Sequence, residues 1–197
     1  MKRHTIIYIT GLSDQKPRFQ KFAIKTWRIY RVEPVFFQTG WGEASSFSEK
    51  LSRLVDLIDT QHKAGKTVSL VGVSAGASLV VAAYAKRKTT VHKVVFICGK
   101  LRRPEAVGEV YYRNNPAFRD AMKYLNSNLD KLGNQERARI VSLSPLFDEI
   151  VAKKDTFVKD AKNITLPTLF HAYTIAVAIT FLSPLIMMFF KSEGELR

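Results

Sequence analysis

The chain has 197 residues, enough for a full hydrophobic core, and 46% of them are hydrophobic against 24% charged, an ordinary globular balance. Lysine and arginine number 31 against 17 acids, a net charge of +14, but the basic residues are spread along the whole chain. No zinc-ligand spacing, RNA-binding aromatic signature or helix-turn-helix accompanies them, so a solvated basic surface is expected rather than a dedicated nucleic-acid site.

The chain opens on Met-Lys-Arg-His-Thr and the run Ile6-Ile7-Tyr8-Ile9. That run is too short for a signal-peptide core and no small-residue cleavage site follows, so a cytoplasmic location is expected. It reads as a first strand over 5–10, closed by Gly11. Residues 18–27 read as a helix with Phe19, Phe22, Ala23 and Trp27 on one face. A second strand covers 30–37, where Pro34 points to a sheet edge or a bend. Thr39-Gly40-Trp41-Gly42 is loop. Leu51, Leu54, Val55 and Ile58 fall at helical spacing within 47–63, and Gly65 stops that helix.

Strand 67–71 then runs into Gly72-Val73-Ser74-Ala75-Gly76 and a helix over 75–86. Strand, sharp turn, helix is the context in which a G-x-S-x-G pattern presents its serine as a nucleophile. A side chain at either glycine would strike the neighbouring helix or strand, so the turn can be tight only with both. Val91 to Ile97 is the next strand, ending at Cys98, the single cysteine, which reads as a buried thiol compatible with a reducing compartment. The stretch 99–135 carries no strand pattern; Pro104 and Pro116 mark helix starts in it. An insert at this point lies where a short helical cap would sit, and its aromatics Tyr111 and Tyr112, with Gly11 and Trp41, are the candidates to line a substrate pocket.

A strand over 139–143 precedes Asp148, and a short last strand over 163–166 precedes His171 and a helix over 172–182. Serine needs a base to take its proton and the base needs a carboxylate to orient it. Asp148 lies just past a strand end, where sites of such folds are built, with Glu149 and Asp155 as rivals. His171 alone of the four histidines follows the acid, whereas His4 reads as surface, His62 as a helix end and His92 as the far edge of the sheet.

Strands alternating with helices give an α/β fold in one domain over 1–197: a mostly parallel sheet with helices on both faces and the cap at 99–135. From Thr10-Gly11 to His171 the chain resembles a small bacterial member of the α/β-hydrolase superfamily, on the G-x-S-x-G elbow, the strand followed by Asp148-x-x-Val151, and the histidine opening the last helix. The resemblance implies Ser74 as nucleophile, Asp148 as acid and His171 as base, with backbone N–H groups of Leu12 and Ala75 as oxyanion donors. It further implies hydrolysis of a small-molecule carboxylic ester or thioester through an acyl-enzyme, with no metal or organic cofactor. Thr10-Gly11 stands where many relatives have His-Gly, and Phe170 where many have glycine.

The apolar run 169–190 approaches membrane-span length, but Ser183-Pro184 breaks it. A buried helix followed by a short one over 185–191 is expected, with residues 186–190 a candidate for peripheral contact with a membrane or partner. A non-catalytic protein of the same fold, binding an apolar ligand, a membrane surface or a partner, is the competing reading.

Overall fold

The computed structural model describes residues 3–12, 14–15 and 17–191. Six strands form one parallel sheet in the order β2-β1-β3-β4-β5-β6: β1 (His4–Ile9), β2 (Val32–Phe37), β3 (Thr67–Val73), β4 (Val91–Ile97), β5 (Ile140–Phe147) and β6 (Lys162–Leu169). Parallel neighbours need crossovers, and helices supply them on both faces. Pro34 indeed sits on an edge strand, β2, which pairs only with β1.

Side chains alternate across the sheet and so sort into two cores. Ile7, Ile9, Leu70, Val94 and Phe96 face α2 (Phe47–Lys63) and α3 (Gly76–Lys86). Ile6, Tyr8, Val71, Val95 and Ile97 face α1 (Arg18–Lys25) and the C-terminal helices. Helix α2 starts on a capping box, in which the Glu49 N–H donates to Ser46 Oγ and the Ser46 N–H to Glu49 Oε2, and it ends before Gly65 at φ +75°. Helix α3 is buried from Gly76 to Tyr84, and Ala77, Ala82 and Ala83 let it lie close on the sheet.

The helix expected over 18–27 stops at Lys25 and tightens into a 3₁₀ turn, Thr26–Tyr30. The buried stripe is Ala23, Ile24 and Trp27, while Phe19 and Phe22, on the adjoining face of the helix, face outward. Strands β5 and β6 are both longer than the pattern suggests. Pro145 hid the extension of β5, yet beyond Leu143 that strand pairs only with β6, so a missing N–H is tolerated there. Within 99–135 the chain forms a 3₁₀ turn at Pro104–Ala106 and helices α4 (Glu109–Asn114), α5 (Pro116–Lys123) and α6 (Leu125–Asp130), before α7 (Asn134–Ala138) leads into β5. Phe118, Met122 and Leu125 join the core under α2 and α3.

The last strand feeds α8 (His171–Ile179), and α9 (Ser183–Phe190) turns from it by 62° across residues 180–182, with Pro184 in its first turn. Among the described residues no single helix is long and apolar enough to cross a membrane. In α9, Ile186, Met187 and Phe190 are buried, which leaves Met188 as the exposed large side chain of the 186–190 run apart from partly covered Phe189. His4 is not the free surface residue expected: its Nε2 and Ser69 Oγ are 2.9 Å apart, and its ring packs edge-on against Phe190.

Candidate active site

Ser74 sits between the end of β3 and the first turn of α3 with φ +52°, a conformation costly for a residue with a Cβ. Its surroundings over-determine it. The Ser74 N–H donates to Ile97 O at 3.0 Å, and its carbonyl accepts from the Ala77 and Lys100 N–H groups. A Cβ on Gly72 would meet Ala77 Cα at 2.9 Å, and one on Gly76 would meet Thr10 O at 2.6 Å. Both glycines of the pentapeptide are therefore required by backbone that cannot step aside. Ser78, one turn on, donates from Oγ to Ala75 O and stays in the helix interior.

The loop after β1 lies against the serine: a Cβ on Gly11 would stand 2.9 Å from Ser74 Cβ. A buried polar network holds this loop, and sequence reasoning missed it. Thr10 Oγ1 donates to Asp14 Oδ2, the Gly40 N–H donates to the same oxygen at 2.6 Å, and the Thr39 N–H donates to Thr10 Oγ1. Trp41 belongs to this support rather than to a pocket. It is fully buried, donates from Nε1 to Thr10 O at 3.1 Å and packs edge-on against Phe118. Lys50, also fully buried, donates to Gly40 O and Ser45 Oγ, and loss of hydration pulls its ammonium pKa down. The available signal was the polar pair Thr10 and Asp14 in an otherwise apolar-to-loop transition.

On the other side, β5 ends at Phe147 and delivers Asp148 directly. Asp148 Oδ1 accepts the N–H groups of Ile150 (2.8 Å) and Val151 (2.7 Å), and Oδ2 lies 2.8 Å from His171 Nδ1. Burial pushes the Asp148 carboxyl up, but the His171 hydrogen bond and the two backbone donors outweigh it and hold the pKa below the ordinary value. Glu149 does not compete for the ring. Its Oε2 accepts the backbone N–H of His171 at 2.9 Å, so neighbouring carboxylates hold one residue by ring and backbone. Phe170, at φ +66°, offers α8 no cap, and Glu149 supplies the acceptor instead.

Asp155 is spoken for elsewhere: Lys100 Nζ donates to its Oδ2 at 2.7 Å and Arg103 Nε to its Oδ1 at 2.5 Å. Burial opposes the Asp155 charge, but Arg103 and Lys100 keep its pKa below the ordinary value.

Two cavities meet at Ser74. The larger, about 470 Å³, is lined by Gly11, Leu12, Phe19, Ser74, Tyr111, Glu149 and His171, with the first turns of α8. The smaller, about 80 Å³, is bounded by Leu12, Ser74, Ala75, Val107, Tyr111, Phe118 and Val151. Ser74 and His171 thus share one cavity, with no hydrogen bond between them among the described residues, as is common before substrate is bound. Tyr111 borders both cavities. Tyr112 borders neither: it turns inward, donates from Oη to Pro104 O at 2.6 Å and packs on Phe118, so its placement in a substrate pocket is corrected.

Cys98 Sγ, an Asp148 oxygen and a His171 ring nitrogen lie within 4.8 Å of one another, the one three-donor cluster of His, Cys, Asp and Glu among the described residues. Burial first, then the nearby Asp148 carboxylate, drives the Cys98 thiol pKa far up. Two of the three donors, the carboxylate and the imidazole, already engage each other across 2.8 Å.

Sheet order, elbow and strand-end positions together define an α/β-hydrolase fold. No protein-family model and no curated protein matches the sequence. Solved structures of this fold do match. One, reported for the metagenome-derived lipolytic enzymes LipS and LipT, superposes with TM-score 0.67 at 11% identity, covering 95% of this chain and 91% of that one. Est1E from Butyrivibrio proteoclasticus gives 0.66 at 15% identity over 95% and 89%. The monoacylglycerol lipase of Paleococcus ferrophilus gives 0.62 at 13% identity over 96% and 97%.

Proposed function

We propose that this chain is a serine hydrolase acting on a small-molecule carboxylic ester or thioester. The observation that carries the reading is His171, held 2.8 Å from Asp148 and lining the same cavity as Ser74 on its strained elbow.

Asp148 accepts from Nδ1–H, which fixes the tautomer and leaves Nε2 as the base. As Ser74 Oγ attacks the carbonyl carbon, Nε2 takes its proton. The oxygen that gains charge is received by the N–H groups of Leu12 and Ala75, the second of which lies at the start of α3, where the helix dipole favours negative charge. The lowered pKa of Asp148 keeps it ionised at neutral pH, so it stabilises the imidazolium. His171 then gives its proton to the leaving atom. The acyl group stays on Ser74 until a water, deprotonated by the same Nε2, releases it as the acid. Residues 99–135 act as a cap: Val107 and Tyr111 stand over the serine, while Phe118 ties the segment to the core.

Several of the matched structures are of lipolytic enzymes, a monoacylglycerol lipase or a carboxyl esterase, which favours ester chemistry over other uses of the fold. The test is turnover of a p-nitrophenyl ester by wild type and Ser74→Ala. The variant is expected to fold normally and lose essentially all turnover, a drop on the order of 10⁵–10⁶ in kcat. Unchanged turnover by the purified variant would overturn the reading.

A further inference from the structure

The two cavities at Ser74 are unequal, and only one of them contains the base. His171 lines the larger; it is absent from the smaller, which lies toward Ala75, Val107 and Val151. The tetrahedral carbon carries four substituents: Ser74 Oγ, the charged oxygen, the leaving oxygen and the acyl chain. The charged oxygen is received at the Leu12 and Ala75 amides that both chambers share or adjoin. The leaving oxygen must come within reach of His171 Nε2 to be protonated, which commits the leaving group to the larger chamber. The acyl chain is left with the smaller one.

Resting on the hydrolase reading above, we propose that the substrate is an ester with a short acyl group and a larger, mainly apolar leaving group. The small chamber holds about 80 Å³. On the same measure it is several-fold smaller than the chamber that His171 lines, which favours a short chain there. Part of its wall is held in place: Phe118 packs edge-on against Trp41, and the Val151 N–H is tied to Asp148. Lys100 also borders it, with its ammonium committed to Asp155. The large chamber, about 470 Å³, is of the size that encloses a drug-sized molecule, and Phe19, Ile175 and Ala176 make its wall apolar. Phe19 is 54% exposed because it stands at this mouth rather than in the core. The reaction balances as short-acyl ester plus water to short-chain acid plus alcohol, the Ser74 proton passing through His171 to the alcohol oxygen.

The experiment is a kcat/KM series on 2-naphthyl esters with one leaving group and acyl chains from acetyl to decanoyl, run on wild type, Val107→Ala and Ala176→Phe. A small fluorophosphonate is used in parallel to confirm that Ser74 is reactive. Wild type is expected to be fastest between acetyl and butyryl and at least tenfold slower from hexanoyl onward. Val107→Ala shifts the optimum longer by one or two carbons. Ala176→Phe leaves the acyl profile in place and lowers 2-naphthyl acetate at least fivefold relative to ethyl acetate. A labelled Ser74 with a flat or rising acyl profile, or an optimum unmoved in Val107→Ala, overturns the substrate assignment and leaves the hydrolase reading standing. An unlabelled Ser74 in folded protein overturns both.

Discussion

Asp148 and Asp155 lie seven residues apart in one connection between β5 and β6, both with nearly inaccessible side chains, and they do opposite things with their charge. Asp155 is neutralised by two permanent cations, Lys100 and Arg103, and ties 100–103 to the loop leading into β6. Asp148 meets no lysine or arginine: its partners are two backbone N–H groups and one histidine, with the Cys98 thiol close by. A carboxylate saturated by arginine and lysine is structural. On the proposed reading, one held by a histidine keeps its charge available for chemistry. Partner chemistry, more than burial, distinguishes the two carboxylates.

Asn substitution of each aspartate sharpens that contrast. Asp148→Asn is expected to lower kcat for ester turnover by about 10⁴, with a smaller loss of stability than Asp155→Asn, because the amide favours the wrong imidazole tautomer. Asp155→Asn is expected to do the reverse. It leaves a nearly buried Lys100 without its anion, costs about 3 kcal/mol of stability by urea unfolding, and changes turnover per folded molecule only a few-fold. Equal effects of the two on turnover would erase the distinction.

Gly76→Ala probes the scaffold on which the contrast rests. Its Cβ would press on Thr10 O and Ile9 O, backbone of a central strand, and a loss of about 1–3 kcal/mol is expected in thermal or urea unfolding. Glu149→Ala, which removes the acceptor of the His171 N–H, should cost less, about 1–2 kcal/mol in the free energy of activation, while Glu149→Gln restores most of the rate. Asp148 and Asp155 both have folded-state pKa values below those of the unfolded chain. Their stabilisation is therefore complete above the unfolded carboxylate range, near pH 4, and is lost as pH falls through the lowered folded values. Urea midpoints measured from pH 7 down to pH 2 should fall less steeply in Asp155→Asn than in wild type.

Much of this was legible in the residue pattern. The elbow was readable because its glycines are forced by backbone contacts, and those contacts leave a fixed five-residue signature. Order along the chain pointed to Asp148 and His171, which follow the ends of β5 and β6 and which the fold brings within 2.8 Å of each other. Helix α2 was readable from its stripe and its Gly65 stop. The misplacements share a physical cause: aromatic residues look alike in sequence whether they line a cavity or fill a core. Trp41 and Tyr112 turned inward to satisfy a polar atom against a backbone carbonyl. Phe19 and Phe22, expected inside, turned outward because the helix buries Ala23 and Ile24 with Trp27 instead. The Thr10–Asp14–Gly40 network and the grip of Glu149 on His171 join residues through three-dimensional proximity that no spacing rule encodes.

The most direct test of the central claim is reaction of the purified protein with a fluorophosphonate and mapping of the adduct by mass spectrometry, in wild type, His171→Ala and Asp148→Asn. The account predicts one adduct, on Ser74, formed rapidly in wild type and at least a hundredfold more slowly in both variants. An adduct formed equally fast in all three, or none on folded wild-type protein, would contradict it.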